Sequence, residues 1–249
     1  MSWRVVVISN VAKLDYKLDC MVIRQTETTK IHLSEIATVQ EEKVPLLIIE
    51  SSTLLCEYLE ELNNQCNGVE GRFILSDNND ELPIEKIAFI EINLFEMDIN
   101  SKRILSKLYV ELKNIAMDEV LYMDTCQIIS ELGAYIEKIA DETDYMITYE
   151  QEIDQTGILK LCNVKLQTQY TSMLEKIVDY IDVMQKICHM KLAIFVNLKS
   201  YLSEEEFEKL YTMIRYRKMN LLLIENREPE KLLVTEEKFI IDKTGCEIY

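Results

Sequence analysis

Glycine and proline are scarce, at 5 and 3 of 249 residues, where average usage gives about 17 and 12. Collagen-like, low-complexity and linker-rich architectures are excluded, because each is built from those residues. Histidine is rarer still, limited to His32 and His189, and the seven cysteines never fall into C-x-x-C. That removes zinc constellations and leaves the cysteines to be read as small apolar residues of a reducing cytoplasm. No apolar run approaches the roughly 18 residues of a membrane span. The first residues lead straight into a strand-like stretch without a small-residue cleavage site, so the expectation is a cytoplasmic chain. Positive charge is also short, with 27 Lys and Arg against 44 Asp and Glu, a net −17. A uniformly basic nucleic-acid coat is excluded, but a local basic surface is not.

What is present is enough apolar material for a core, 48% of the chain, in three successive textures. Residues 1–99 carry short β-branched runs at 4–8 (RVVVI), 21–23, 46–49 (LLII), 72–75 (RFIL) and 87–92 (IAFIEI), the pattern of strands. Between two of them, residues 52–62 read as a helix with Leu54, Leu55, Tyr58, Leu59 and Leu62 on one face. From 100 to 189 the period changes. Leu105, Leu108, Leu112 and Ile115 form one amphipathic stripe, Ile129, Leu132, Ile136 and Ile139 a second, and Leu174, Ile177, Ile181 and Met184 a third. Residues 145–170 are less regular, and the alternation at 164–167 suggests a strand. From 190 onward, 191–196 (KLAIFV) and 221–224 (LLLI) read as strands buried on both faces. Between them Ser203-Glu-Glu-Glu206 is a capping box opening a helix, so this stretch reads as a βαβ unit with a parallel pair. Residues 238–241 supply a last strand. The simplest assembly is an α/β head made of residues 39–99 and 190–249, with an α-helical excursion of residues 100–189 inserted.

An α/β head invites a nucleotide, yet no pair of the five glycines builds G-x-x-x-x-G-K-[ST] or G-x-G-x-x-G. Gly68 and Gly71 precede a strand, where a phosphate loop follows one, and read as a turn. No G-x-S-x-G supports a serine nucleophile, and His189 near a helix end is read as complementing its dipole. Carboxylates crowd residues 137–154, at Glu137, Asp141, Glu142, Asp144, Glu150, Glu152 and Asp154. Such a run is either a solvated face or a flexible oxygen cage for calcium, without EF-hand spacing. A hydrolytic metal centre has no partnered base to go with it. Basic residues gather twice. Arg215, Arg217 and Lys218 close a helix, where the dipole welcomes cations. Lys102, Arg103 and Lys107 open one, where it does not, and are therefore candidates for touching phosphate.

The segments 191–197 (KLAIFVN), 200–205 and 221–225, with 95–100 (FEMDIN) and 152–168 upstream, resemble the short accessory adaptation protein of type II-A CRISPR systems, the Csn-two family, over roughly residues 40–249. Residues 1–38, with Trp3-Arg-Val-Val-Val, 13–17, 21–23 and 31–36, resemble instead the N-terminal strands of the type II adaptation integrase, whose metal-binding catalytic half has no counterpart here. The first resemblance implies a head like an NTPase core without a phosphate loop, bearing an extended helical leg. It also implies a non-catalytic factor in spacer acquisition that binds ends of double-stranded DNA as a calcium-dependent homotetrameric ring, beside the adaptation integrase complex and the effector nuclease. Carried onto this sequence, the calcium ligands fall nearest Glu150 and Glu152, with Asp144 from the same acidic run, while Lys102, Arg103 and Lys107 are the DNA-facing candidates. The alternative is an acidic scaffold that docks the integrase or nuclease without touching DNA.

Overall fold

The computed structural model describes residues 3–6, 43–77, 80–150 and 154–248. Of the sequence expectations, residues 7–8 of the first strand, the strand at 21–23, His32, Glu152 and most of the integrase-like stretch lie outside the described residues. The strands are β1 (Trp3–Val6), β2 (Val44–Ile49), β3 (Ile74–Asp77), β4 (Asp80–Leu82), β5 (Ala88–Glu91), β6 (Leu192–Val196), β7 (Asn220–Glu225), β8 (Glu236–Ile241) and β9 (Glu247–Ile248). The helices are α1 (Ser52–Cys66), α2 (Ile84–Ile87), α3 (Lys102–Ala116), α4 (Tyr122–Asp141), α5 (Gln155–Leu161), α6 (Met173–Lys186) and α7 (Glu204–Arg217). The chain divides into two compact units, Asp98–Gln169 and everything else described. α6 therefore belongs with the sheet and not with α3, α4 and α5.

The sheet unit is α/β. Its main sheet runs β5-β6-β7-β2-β8-β9, parallel throughout except for the β8–β9 pair. A parallel sheet needs both faces covered, and β2, β6 and β7 are buried along almost their whole length. Side chains alternate across a strand. Leu47, Ile49, Ile194, Val196, Leu222 and Ile224 thus share one face with Tyr58, Leu62 and Cys66 of α1. Phe89 and Phe195 meet edge to face on the other, where Tyr180 of α6 packs against Phe89. The expected parallel strand–helix–strand unit is β6-α7-β7, and α7 opens with the Ser203–Glu206 capping box.

A three-stranded antiparallel sheet, β1-β3-β4, completes this unit. β3 begins two residues later than the apolar run suggests, for a physical reason. The buried Gln65 side chain of α1 both donates to the Phe73 carbonyl (2.9 Å) and accepts from the Phe73 amide (3.0 Å), taking the place of a neighbouring strand. Arg72 is held by Glu57 (2.8 Å) and Glu61 (2.6 Å). Gly71 permits this approach, because a Cβ there would lie 2.5 Å from Gln65 Cδ.

In the helical unit, α5 fills part of the stretch that lacked a clear period. The alternating residues 164–167 form no strand. Tyr109 Oη donates to the Val164 carbonyl (2.9 Å), and the Asn100 side chain bonds both the amide (2.9 Å) and the carbonyl (3.0 Å) of Leu166. These residues are thereby tied to α3 and its lead-in turn by side chains rather than by a ladder. No helix among the described residues is long and apolar enough to cross a membrane. Of the cysteines, Cys66 and Cys188 are buried as small apolar residues, whereas Cys56, Cys126 and Cys162 are exposed.

Candidate functional site

α3 places its basic residues on one side. At about 100° per residue, Lys102, Arg103 and Lys107 fall within one arc, opposite the stripe of Ile104, Leu108 and Leu112. All three are exposed, while Ile104 and Leu108 are buried. None of the three pairs with a described carboxylate, and the first turn contains no acid. Two cations at a helix N-terminus oppose the dipole by a few tenths of a kcal/mol each, and nothing local compensates for it. Three uncommitted cations on one face can meet phosphate oxygens.

The second basic group is different. Arg217 donates to the Val178 carbonyl (3.0 Å) and pairs with Asp182 (3.1 Å), fastening α7 to α6. Lys218 is the left-handed residue that closes α7. His189 likewise has positive φ and lies beyond the end of α6.

The acidic run is dispersed along its backbone. Glu137 and Asp141 lie on α4. Asp144 and Glu150 are exposed in the segment that follows. Asp154 is engaged by Lys113 (2.7 Å) and by the Thr156 hydroxyl, which together hold its carboxyl down at about 2. Among the described residues no group of three or more His, Cys, Asp or Glu side chains is arranged to hold a metal ion. Asp144 and Glu150 are the described members of the expected calcium set, and Glu152 lies outside the described residues.

The edge where parallel α/β sheets usually take ligands is the one at the carboxyl ends of the strands. Here the register aligns Glu91 with Phe195, while Glu50 and Asp242 directly follow the paired Ile49 and Ile241. The edge is therefore acidic. The β2–α1 connection contains only Glu50 and Ser51, and Ser51 caps α1 by accepting from the Leu54 amide. A two-residue link without glycine provides no backbone cradle, and the carboxylates beside it repel polyphosphate.

Below this edge lies a buried polar network that the sequence reading missed. Glu225 accepts from the Lys199 amide (2.9 Å). The Lys199 ammonium pairs with Glu236 and sits 4.4 Å from the centre of the Phe207 ring. Glu236 also accepts from the Tyr211 hydroxyl and from the Leu233 amide (3.0 Å). Burial, with the charge of Glu236 adding, pushes the Glu225 carboxyl up to about 7, against the pull of Lys199. Burial and Glu236 likewise hold the Tyr211 hydroxyl protonated. The network fastens the β6–α7 turn to β7 and β8.

Sequence comparison bears on both units. The family model described as CRISPR-associated protein (Cas_Csn2) matches residues 65–244, which spans the helical unit and most of the sheet unit. The chain belongs to this family. The CRISPR-associated protein Csn2 of Enterococcus faecalis is 24% identical over 149 residues, covering 56% of this chain and 64% of the relative. That of Streptococcus agalactiae is 26% identical over 156 residues, covering 59% of this chain and 64% of the relative. The match thus spans a little under two thirds of either relative's length. A CRISPR-associated role follows, as the sequence resemblance implied.

Proposed function

We propose that the protein is a non-catalytic factor in CRISPR adaptation that binds ends of double-stranded DNA as a calcium-dependent homotetrameric ring. The observation that carries this reading is family membership over residues 65–244, joined by one uncommitted basic face on α3. A chain at −17 holds a polyanion only where its cations converge and some acid is neutralised. Symmetric repetition turns Lys102, Arg103 and Lys107 into a belt, and calcium at Asp144, Glu150 and Glu152 lowers the local negative charge. In this reading the sheet unit is an NTPase-like core without a phosphate loop, the helical unit is its leg, and the partners are the adaptation integrase complex and the effector nuclease. The acidic carboxyl edge of the sheet supports the absence of nucleotide chemistry.

Solution mass, measured with calcium and with chelator, tests the assembly. A species near four times the chain mass that needs calcium is the expected result. A monomer in both conditions removes the ring, and with it the belt. The second reading, an acidic scaffold for the integrase or nuclease, is favoured by the charge balance alone. Co-purification with a basic partner that survives nuclease treatment, from protein with no DNA affinity, would select it.

A further inference from the structure

Two aromatic rings stand exposed at the carboxyl edge of the sheet, on the turns that follow β5 and β6. Phe95 is 66% exposed and Tyr201 44%, and their rings meet edge to face with centroids 5.7 Å apart. A phenylalanine in that position contributes little to the core, yet the backbone beneath it is firmly held. Leu94 is 1% exposed, the Asn93 side chain accepts from the Phe95 amide (3.1 Å), and the Lys176 ammonium donates to the carbonyls of Leu94 and Phe95 (both 3.0 Å). Tyr201 is held in the same manner between Leu198 and Leu202, both buried. A rigid, exposed aromatic pair carries little ordering cost on binding, which is the character of an interface anchor.

The charge around the pair defines what it can receive. Glu96 directly follows Phe95 and is exposed, and Glu50 stands exposed after β2 on the same edge. Lys176, the cation beneath, donates to the two carbonyls and keeps its charge, but the exposed carboxylates of Glu50 and Glu96 outnumber it. Such a surface favours a cation over a phosphate backbone. It attracts a guanidinium, which stacks on an aromatic face while pairing with a carboxylate. We propose that the Phe95–Tyr201 pair on the acidic carboxyl edge of the sheet is the docking surface for a protein segment in which arginines alternate with apolar residues. The inference does not rest on DNA-end binding, and its test contains no DNA.

The test is an anisotropy titration of the full chain with a labelled octapeptide of alternating arginine and leucine, set against the same peptide with glutamine for arginine. The arginine peptide is expected to bind about tenfold more tightly. Phe95→Ala and Tyr201→Ala are each expected to weaken it by about tenfold, as loss of a central anchor does. Tyr216→Ala, which removes an exposed aromatic on α7, is expected to leave it unchanged. All three positions are solvent-exposed, and unshifted thermal melts confirm that the fold is retained. Equal affinity for both peptides, or equal binding by the Phe95, Tyr201 and Tyr216 variants, would show diffuse attraction to an acidic chain and overturn the proposal. A fall in solution mass in the Phe95 or Tyr201 variants would also overturn it, by assigning the pair to a contact between copies of this chain.

Discussion

In the sheet unit Leu46, Ile48, Phe195 and Leu223 have no exposed surface, whereas in the helical unit α4 buries none of its residues and Met123, Ile128 and Tyr135 stand 73%, 53% and 60% exposed. The two units use similar apolar residues for different ends. β2, β6 and β7 are covered by helices on both faces, so that unit holds its own core. The stripe on α4, Ile129, Leu132, Ile136 and Ile139, is half-buried to exposed, and Met123, Ile128 and Tyr135 off the stripe stand open, so the helix carries exposed apolar surface of the kind that marks interaction sites. The basic face of α3 belongs to the same unit. The sheet unit accordingly holds the buried core, and under the proposed ring the exposed surface of the helical unit meets other copies and DNA.

Truncation should separate the two units most clearly. Phe195→Ala, in the covered sheet, is expected to cost about 3–5 kcal/mol of unfolding free energy. Tyr135→Ala on α4 is expected to change it by less than about 0.5 kcal/mol. Denaturant titration of both variants reads the difference, and a comparable loss for Tyr135→Ala would show that α4 packs as core.

The buried network yields the next largest effect, and it depends on pH. The folded Glu225 carboxyl sits at about 7 against an ordinary 4.5. Its contribution to stability is therefore fully present below 4.5, declines as pH rises, and is lost above 7. Glu225→Gln keeps the acceptor for the Lys199 amide and never ionises. It is expected to stabilise the protein by about 3 kcal/mol at pH 8 and by almost nothing at pH 4.5. Melting temperatures across that range check it, and a gain independent of pH would place the cause elsewhere.

Gly71→Ala is expected to cost about 1–2 kcal/mol, because the new Cβ displaces Gln65 from both hydrogen bonds to Phe73. A variant as stable as the parent would mean that Gln65 finds another arrangement. The smallest change in stability belongs to the joint substitution of Lys102, Arg103 and Lys107 by alanine. It is expected to be neutral or to gain a few tenths of a kcal/mol from relief of the helix dipole. The same variant should weaken DNA binding, and the slope of log affinity against log salt should flatten by about 0.9 for each phosphate contact removed.

What could be read from the sequence follows the same division. β2, β6 and β7 were plain as short apolar runs, and the Ser203–Glu206 box marked the start of α7, because these signals are local. α5 was hidden, being only seven residues long with Gly157 near its middle. The late start of β3 depends on a side chain eight residues away. The Glu225, Lys199 and Glu236 network joins residues separated by 26 and 37 positions, so no spacing rule could have found it. At the candidate site, the charge of Lys102, Arg103 and Lys107 and their place at a helix start were legible in the sequence, while their shared face follows from the bounds of α3. The calcium set was drawn from a resemblance, and of it the structure describes Asp144 and Glu150.

Binding to linear against closed-circular duplex DNA of one sequence, in calcium and in chelator, is the most direct measurement of the proposed activity. The account predicts tight binding to the linear form in calcium, weak binding to the circle, and loss of both in chelator. Equal binding to the two forms, or none to either, would contradict it.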